Sequence, residues 1–390
     1  MSKPHLLSRA AAIALALAAW SSSGQAQAVD AAAVARQYAN VVYASYEDSL
    51  SSALDMQRAV RAFAGAPSVG TLAAARKAWL AAREWYGQTE AYRFYSGPID
   101  DAKGPEGKLN SWPLDEAYID YVKGKPNSGL INNTKLPLTK ATLATANTRG
   151  GEENVSVGWH AIEFLLWGQD FRADGPGDRS FEDYVDGKAP HADRRRQYLL
   201  AVTDLVIDDL RYLQKAWAPG AHNYRAAFEK GGIESVRKII VGIGSLSRGE
   251  LAGQRLETAM NTQDQEDEHS CFSDNTHRDI VNNALGIDNV WFGRFKRLDG
   301  SSVQGASLNE LVSQADAAVA TRTGEHIAAS VAAANEIHAP FDQEILVANG
   351  PAGRQRIQTT IDSLVQQSKD LADAATAIGI KRLALVKPGK

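Results

Sequence analysis

The spacing of apolar residues constrains the fold of this chain most strongly. One stretch repeats apolar side chains in steps of three and four, at Leu199, Val202, Val206, Leu210, Leu213 and Trp217. Such steps put the side chains on one stripe of an amphipathic helix, whereas a strand would require alternation. The same spacing of apolar residues recurs in 34–63, in 72–95, after Val236 and in 357–371. Because no strand-like alternation is sustained, we predict an all-α fold.

Two long connections and one helix end predict the domain organisation. Residues 97–134 and 168–190 are irregular connections of a length that is uncommon inside compact domains and is often functional. The sequence Ala218-Pro219-Gly220 ends the helix that reaches Trp217. We therefore predict two packed helical bundle-like domains, comprising residues 29–219 and 220–390.

The N-terminus resembles an export signal. Residues 1–28 contain a basic start, an apolar stretch and a terminal Ala-Gln-Ala, which is the pattern of a signal peptide cleaved after Ala28. Removal of Lys3 and Arg9 changes the net charge from −4 to about −6. That charge argues against nucleic acid as a partner. We expect an exported, soluble mature protein.

Cysteine content and known motifs exclude several classes. Cys271 is the only cysteine, so an intrachain disulfide is excluded and we expect a buried free thiol. The sequence contains no His-Glu-x-x-His, no Gly-x-Ser-x-Gly, no dinucleotide fingerprint and no phosphate-binding loop. Zincins, nucleophile-elbow hydrolases and these nucleotide-binding enzymes are therefore not indicated.

The segment 158–168 carries the most informative polar pair. His160 and Glu163 stand three residues apart within apolar surroundings, so they share one face of a helix. An imidazole and a carboxylate at this spacing can bind one transition-metal ion, as Glu-x-x-His pairs do in carboxylate-bridged bundles. A buried hydrogen bond that only fixes helix packing explains the same spacing.

The segment 263–277 is rich in donors for metal ions. It combines an acidic run with two histidines, and Glu266 and His269 again stand three apart. A helix continued through this segment would align His269 with Ser273, but the residues that follow are weak helix formers. A solvated acidic face or a hydrogen-bonded corner is the alternative to a binding site.

A third polar set lies in the segment 87–95. Glu90 and Arg93 have the spacing of an ion pair on a helix surface, which is the structural interpretation. The aromatic residues at 92, 94 and 95 cannot all face one side of a helix. Some of them must contact a neighbouring domain, a loop or a ligand.

The sequence Gly158-Trp159-His160-Ala161-Ile162-Glu163 resembles the Gly-x-His-x-x-Glu signature of the imelysin family. Segments 89–94, 112–116 and 267–277 also resemble the iron-regulated branch of that family, so the resemblance covers almost the whole mature chain. It implies two helical bundle-like domains with the signature near their interface. It also implies a location in the periplasm or at the outer membrane, and a role in iron uptake with a partner in the outer or inner membrane.

The resemblance guides the choice of candidate ligands. We predict binding of a metal ion or an iron complex, with iron or zinc as the cofactor and haem as an alternative axially bound by a histidine. The candidate metal ligands are His160, Glu163, Glu90, Glu268 and His269. Further ligand-site candidates are Arg93, Asp115, Ser270, Asp274 and His277. The alternative functions are a metal-dependent peptidase that uses the same residues, and a structural or partner-binding module.

Two donors on one helix are too few for a tight site, so residues distant in sequence must complete it. We expect Glu90 and at least one of Glu268, His269 or Asp274 to approach His160. We also expect the loop 97–134 to lie nearby.

Overall fold

The computed structural model describes residues 28–172 and 174–385. The predicted signal peptide, apart from Ala28, lies outside the described residues. The α-helices are α1 (Ala31–Gly65), α2 (Val69–Gln88), α3 (Glu106–Leu109), α4 (Glu116–Ile119), α5 (Gly129–Asn132), α6 (Lys140–Ala146), α7 (Trp159–Trp167), α8 (Ala192–Trp217), α9 (Tyr224–Phe228), α10 (Ile233–Ser245), α11 (Thr258–Thr262), α12 (Thr276–Trp291), α13 (Leu308–Ala315), α14 (Ala317–Asn335), α15 (Phe341–Ile345) and α16 (Pro351–Ala377).

The remaining regular structure is short. Single 3₁₀ turns occupy Thr89–Tyr92, Phe181–Tyr184, Gln265–Asp267 and Val347–Asn349, and Leu246–Glu257 is a π-helical segment that joins α10 to α11. Strands β1 (Arg294–Lys296) and β2 (Ser302–Gln304) form an antiparallel hairpin in which Phe295 pairs with Val303. The prediction of an all-α fold is therefore confirmed, with this hairpin as a minor addition.

The first three long helices form one packed group. Helix α1 begins at Asp30, whose side chain accepts a hydrogen bond from the N–H of Ala33, and α2 begins at a capping box made by Ser68 and Thr71. Helix α1 packs along both α2 and α8. The predicted apolar stripe of α8 is buried throughout.

Helix α12 connects the two parts of the chain. It packs against α2 on one side and against α14 on the other, and α14 in turn pairs with α16. The buried apolar side chains form one cluster that extends from Val34 to Ile380. The proposed boundary between residues 219 and 220 stays a prediction, and the core is continuous across it.

Two further sequence expectations concern single features. Cys271 is a buried free thiol, as expected. Among the described residues, no helix is both long enough and apolar enough to cross a membrane.

Candidate functional site

Helix α7 begins where the chain makes a close approach that requires glycine. Gly158 has a φ of +94°, and a Cβ there would lie 2.6 Å from backbone carbonyl oxygens of the loop 97–134. Glycine lacks that Cβ and adopts positive φ readily, so the loop can pack on the first turn of α7. His160 and Glu163 follow on one face of this helix.

His160 and Glu163 form a buried hydrogen-bonded pair. Nδ1 of His160 lies 2.9 Å from Oε2 of Glu163, and both side chains are at most 1% exposed. Oε1 of Glu163 accepts hydrogen bonds from the backbone N–H and the hydroxyl of Ser273, at 3.0 and 2.6 Å. Burial raises the pKa of Glu163 to about 8 and lowers the pKa of His160 to about 3. Both side chains are therefore predominantly uncharged at neutral pH.

A second carboxyl group, that of Asp279, orients His269. Nδ1 of His269 lies 2.7 Å from Oδ2 of Asp279, which also accepts a hydrogen bond from the hydroxyl of Ser270 at 2.6 Å. Burial alone would raise the pKa of Asp279, but Arg83 and His269 hold that pKa well below its ordinary value. Burial lowers the pKa of His269 to about 3. The neutral ring therefore donates Nδ1–H to Asp279 and keeps a lone pair on Nε2.

The two imidazole rings contact each other beneath the loop 97–134. Their centroids are 4.6 Å apart and their planes are inclined by 71°. Nδ2 of Asn110 lies 3.4 Å from Nε2 of His269, and the ring of Trp112 lies edge-on to that histidine at 5.8 Å. The expectations that His269 approaches His160 and that this loop lies nearby are confirmed.

Arg83 of α2 bonds both to α12 and to the loop 97–134, which covers the two imidazoles. Its Nη2 lies 2.8 Å from Oδ2 of Asp279, and its Nη1 donates to Oδ1 of Asn110 at 2.8 Å. The guanidinium also lies over the rings of Trp79, Tyr86 and Trp159. Asn110, His269, Asp279 and Arg83 thus form a closed hydrogen-bonded ring, which fixes the orientation of the imidazole.

Glu90 lies in a neighbouring buried charge cluster. Its Oε2 accepts from Arg93 at 2.6 Å and from Arg255 at 2.8 Å, and the residue is 1% exposed. The predicted pair of Glu90 with Arg93 therefore exists, but it is buried rather than on a helix surface. Arg93 also pairs with Glu106, and Arg255 with Glu250.

Glu90 interacts with the two histidines electrostatically. Burial alone would raise the pKa of Glu90, but Arg93 and Arg255 hold it at about 2. This carboxylate acts on the pKa of His160, and His269 in turn acts on the pKa of Glu90. The structure therefore brings Glu90 into electrostatic range of the imidazoles without a direct hydrogen bond to them.

Other candidates occupy different surroundings. Glu268 and Asp274 lie in a separate group of carboxyl groups, where Asp170 and Asp342 are electrostatic neighbours of both. The hydroxyl of Ser270 supports Asp279, as described above. Asp274 retains an electrostatic influence from Glu163.

Asp115 and His277 have local roles in the structure. Asp115 is exposed and caps α4, since its Oδ1 accepts from the N–H of Ala117 at 2.9 Å. Nδ1 of His277 lies 3.1 Å from the backbone oxygen of Asp274, in the first turn of α12. Neither contact joins these candidates to His160.

Several residues of this centre were missed by sequence reasoning, namely Arg83, Asn110, Arg255, Ser273 as a partner of Glu163, and Asp279. Ser273 and Asn110 lie in segments that the sequence had marked as polar or irregular. Asp279 lies only two residues beyond the marked segment 263–277. The recurrence of a carboxylate near each histidine was the signal that could have found it.

The donor set meets the requirements of a metal ion only in part. Nε2 of His160 and Oε1 of Glu90 are buried and lack a hydrogen-bond partner, although native structures rarely leave such atoms unsatisfied. Each imidazole also has its other nitrogen hydrogen-bonded to a carboxyl group, and metal-ligating histidines are oriented by similar partners. Within residues 28–172 and 174–385, however, no three His, Cys, Asp or Glu side chains are already arranged to hold a metal ion.

These features define an all-helical protein with a buried centre of two imidazoles, each hydrogen-bonded to a carboxyl group, covered by a long loop. The chain belongs to the Imelysin (peptidase M75) family, whose model matches residues 42–371. The resemblance deduced from the Gly-x-His-x-x-Glu signature is confirmed.

Individual relatives agree with this assignment. Iron-regulated protein A of Synechococcus elongatus is 27% identical over 344 residues, which cover 88% of this chain and 86% of the relative. A structure described as an iron-regulated protein A precursor from Parabacteroides distasonis has a TM-score of 0.71 at 22% identity, covering 91% of this chain and 97% of that one. An imelysin-like protein from Psychrobacter arcticus gives 0.64 at 14% identity, covering 92% and 99%. The two structures support the fold alone.

Proposed function

We propose that this protein is an exported iron-binding protein. It holds a metal ion or an iron complex at the centre formed by His160, Glu163 and His269, and it contributes to iron uptake. The family assignment and the relative named iron-regulated protein A support the link to iron. The N-terminal pattern of residues 1–28 supports export to the periplasm or the outer membrane, where a membrane-bound uptake protein would be the partner.

One observation carries the proposal. Nε2 of His160 is buried without a hydrogen-bond partner, while Nδ1 of the same ring is held by Glu163. A hydrogen bond that only fixes helix packing explains the orientation of Nδ1, but it does not explain why Nε2 is buried without a partner. A ligand at Nε2 would satisfy the atom, and once the pair has lost a proton an imidazole held by a carboxylate is a common donor to iron and zinc.

The number of available donors indicates the kind of ligand. Two imidazoles with Glu90 as a charged neighbour do not form a complete coordination shell among the described residues. An iron complex brings donor atoms of its own and needs fewer from the protein. A metal bound at Nε2 of His160 would displace the proton that this nitrogen carries in the uncharged pair.

Equilibrium dialysis of the purified full-length mature protein tests the proposal. The probes are Fe(II) without oxygen, ferric citrate and Zn(II). We expect wild-type protein to bind at least one of them, and His160→Ala to weaken that binding by at least about tenfold, because one coordinating nitrogen is lost. His222→Ala is the matched control, since His222 is exposed and distant in sequence from the centre. Equal binding by wild type and His160→Ala would contradict the proposal.

The same proteins separate the competing functions. A ligand that binds only the folded state must raise its melting temperature, so a wild-type melt that no probe shifts, together with a Glu163→Gln variant of lower stability, would favour a packing role. Chelator-sensitive cleavage of a protein substrate that is lost in His160→Ala would favour a peptidase. A Soret band shift of haemin that depends on His160 would identify haem as the ligand.

A further inference from the structure

A cavity of about 320 Å³ opens at the C-terminal end of α7. Its wall combines the end of that helix with parts of the two long connections, and its lining includes Tyr121, Lys123, Trp167, Phe171, Asp178 and Arg179. The volume is near the lower end of the range of small-molecule sites. The cavity therefore suits a compound with a single ring rather than a nucleotide or a haem.

Three aromatic side chains form the apolar part of this wall. Trp167 is buried, whereas Tyr121 is 37% and Phe171 is 66% exposed. Large aromatic rings that remain accessible beside a cavity often mark a ligand-binding surface. Because aromatic rings gain free energy from offset or edge-to-face contacts with a further ring, this wall favours a planar aromatic body over a flexible chain.

Cations of the same wall lie against two of these rings. Nζ of Lys123 lies 5.1 Å from the centre of the Phe171 ring. Cζ of Arg179 lies 5.4 Å from the centre of the Tyr121 ring. The face of an aromatic ring attracts such groups, so positive charge is held next to the apolar surface of the cavity.

Lys123 differs from the two arginines of the wall in having no anionic partner. Within residues 28–172 and 174–385, no carboxylate lies close enough to form an ion pair with this exposed ammonium group. Nη1 of Arg179, by contrast, lies 2.7 Å from Oδ2 of Asp120. Arg172 also lines the cavity, and its Nε lies 3.6 Å from Oδ1 of Asp174. An anionic group on a ligand would therefore be attracted chiefly to Lys123.

One acidic side chain, Asp178, also belongs to the wall. It is exposed, and its charge acts on Arg76, whose guanidinium lies over the ring of Trp167. Arg76 therefore offsets the charge of Asp178. The lining thus contains three basic side chains against one acidic side chain, and its charge favours an anion over a cation.

The guanidinium of Arg179 supplies a further hydrogen-bond donor. Nε of this buried side chain has no hydrogen-bond partner among the described residues. It lies beside Gly168, where a Cβ would come within 3.2 Å of it. Gly168 lines the cavity and has no side chain, so it leaves room beside this N–H for an acceptor oxygen of a ligand.

We propose that the cavity at the end of α7 binds a small aromatic carboxylate. The ring of the ligand packs against Tyr121 and Phe171. Its carboxylate pairs with the ammonium group of Lys123 and accepts a hydrogen bond from Nε–H of Arg179.

This site is independent of the proposed iron function. The hydrogen bond and the ring contact of His160 go to Glu163 and His269, which lie outside the lining of this cavity. The failure of one proposal therefore leaves the other standing.

Titration of the full-length mature protein with 4-fluorobenzoate, followed by fluorine NMR, tests this site. We expect binding that weakens at high salt, because the attraction to Lys123 is electrostatic. Lys123→Gln should weaken binding by about three- to fivefold, since an exposed ionic contact is lost. Lys215→Gln is the matched control and should bind as wild type does. Lys215 is exposed and lies about 30 Å along α8 from Arg195, whose guanidinium is over the ring of Tyr121.

A second variant and two analogues keep the test decisive. Phe171→Ala removes an exposed ring, so it should fold normally and weaken the binding of 4-fluorobenzoate several fold. Tyr212→Ala, which removes an exposed ring from α8, should not weaken it. The uncharged 4-fluorobenzyl alcohol and the cationic 4-fluorobenzylamine should bind much more weakly than the carboxylate.

Three results would overturn the proposal. The first is the absence of 4-fluorobenzoate binding to the wild type. The second is an affinity for either analogue that equals or exceeds that for the carboxylate. The third is wild-type affinity in both Lys123→Gln and Phe171→Ala, which would show that the ligand binds elsewhere on the protein.

Discussion

At the scale of single residues, Asp279 is the acceptor on which the histidine centre depends. Its carboxylate accepts hydrogen bonds from the guanidinium of Arg83, from the ring of His269 and from the hydroxyl of Ser270. The residue is 0% exposed. A buried ion pair is costly to form, but removing one partner is costlier because the other charge remains buried. The geometry of His269 therefore depends on a charge balance made by three separate segments.

We predict that Asp279→Asn lowers the free energy of unfolding by about 3–5 kcal/mol, because Arg83 loses its anionic partner in the interior. Urea denaturation followed by circular dichroism measures the change. Asp186→Asn serves as the control, since Asp186 pairs with Arg196 but is 72% exposed, and such pairs contribute about 0–1 kcal/mol. A loss in Asp279→Asn no larger than in the control would show that Arg83 is not held by this charge.

The residues of the centre differ in how far the sequence revealed them. His160 and Glu163 could be predicted because polar residues are unusual inside so apolar a segment. Asp279 and Arg83 could not, since a charged residue on an amphipathic helix is usually exposed, and this pair is buried where α2 packs against α12. Sequence spacing identifies neighbours on one helix and gives no information about contacts between helices.

At the scale of elements, long helices were predictable and irregular segments were not. The apolar stripes of α1, α8 and α16 repeat over many turns, so their periodicity is clear. The hairpin of β1 and β2 has only three residues in each strand, too few for alternation to be recognised. Between the 3₁₀ turn Gln265–Asp267 and α12 the chain is non-helical, so His269 reaches His160 from a turn.

The start of α7 provides a test of how the covering loop is held. We predict that Gly158→Ala lowers the free energy of unfolding by about 3 kcal/mol or more. The new Cβ would lie 2.6 Å from backbone oxygens of the loop 97–134, and the φ of +94° is unfavourable for alanine. The loop or the helix must move, which should also disturb the contacts of Asn110 and Trp112 with His269.

Gly187→Ala is the matched control for this prediction. Gly187 also has a positive φ, of +79°, but a Cβ there would meet nothing within 4 Å. It should therefore cost only the conformational penalty of about 1–2 kcal/mol. Thermal and urea denaturation of the two variants compare the effects. If both variants lose the same stability, close packing of the loop on Gly158 makes no contribution.

At the scale of the whole molecule, the histidine centre lies where distant parts of the chain meet. It combines α2, the loop 97–134, α7 and α12. Formation of this centre therefore requires most of the fold. A ligand bound there should stabilise the packing between α12 and its neighbours, because it binds only when those elements are assembled.

The buried titratable groups make opposing contributions to the pH dependence of the protein's stability. His160 and His269 have pKa values of about 3 when folded, against a reference value of 6.5. The unfolded state therefore binds more protons below pH 6.5, and the contribution of these histidines to stability is lost as the pH falls. Asp274 acts in the other direction, because burial and then the nearby Asp170 and Asp342 raise its pKa from 3.8 to about 7.

Replacement of Asp274 isolates its contribution to the pH dependence of stability. The folded protein holds a proton on Asp274 up to about pH 7, whereas the unfolded chain loses it near pH 4. The contribution of Asp274 to stability therefore falls as the pH rises from 4 to 7 and stays low above that. Asparagine mimics the protonated carboxyl group and also tolerates the φ of +56° at this position.

We therefore predict that the stability of Asp274→Asn relative to the wild type increases as the pH rises from 5 to 8. The increase should be about 1 kcal/mol, because partial exposure of Asp274 screens the repulsion from its neighbours. The histidines contribute equally to both proteins, so they cancel in the comparison. Urea denaturation at pH 5, 6, 7 and 8 measures the effect. A stability difference that does not change with pH would mean that Asp274 is not repelled by Asp170 and Asp342.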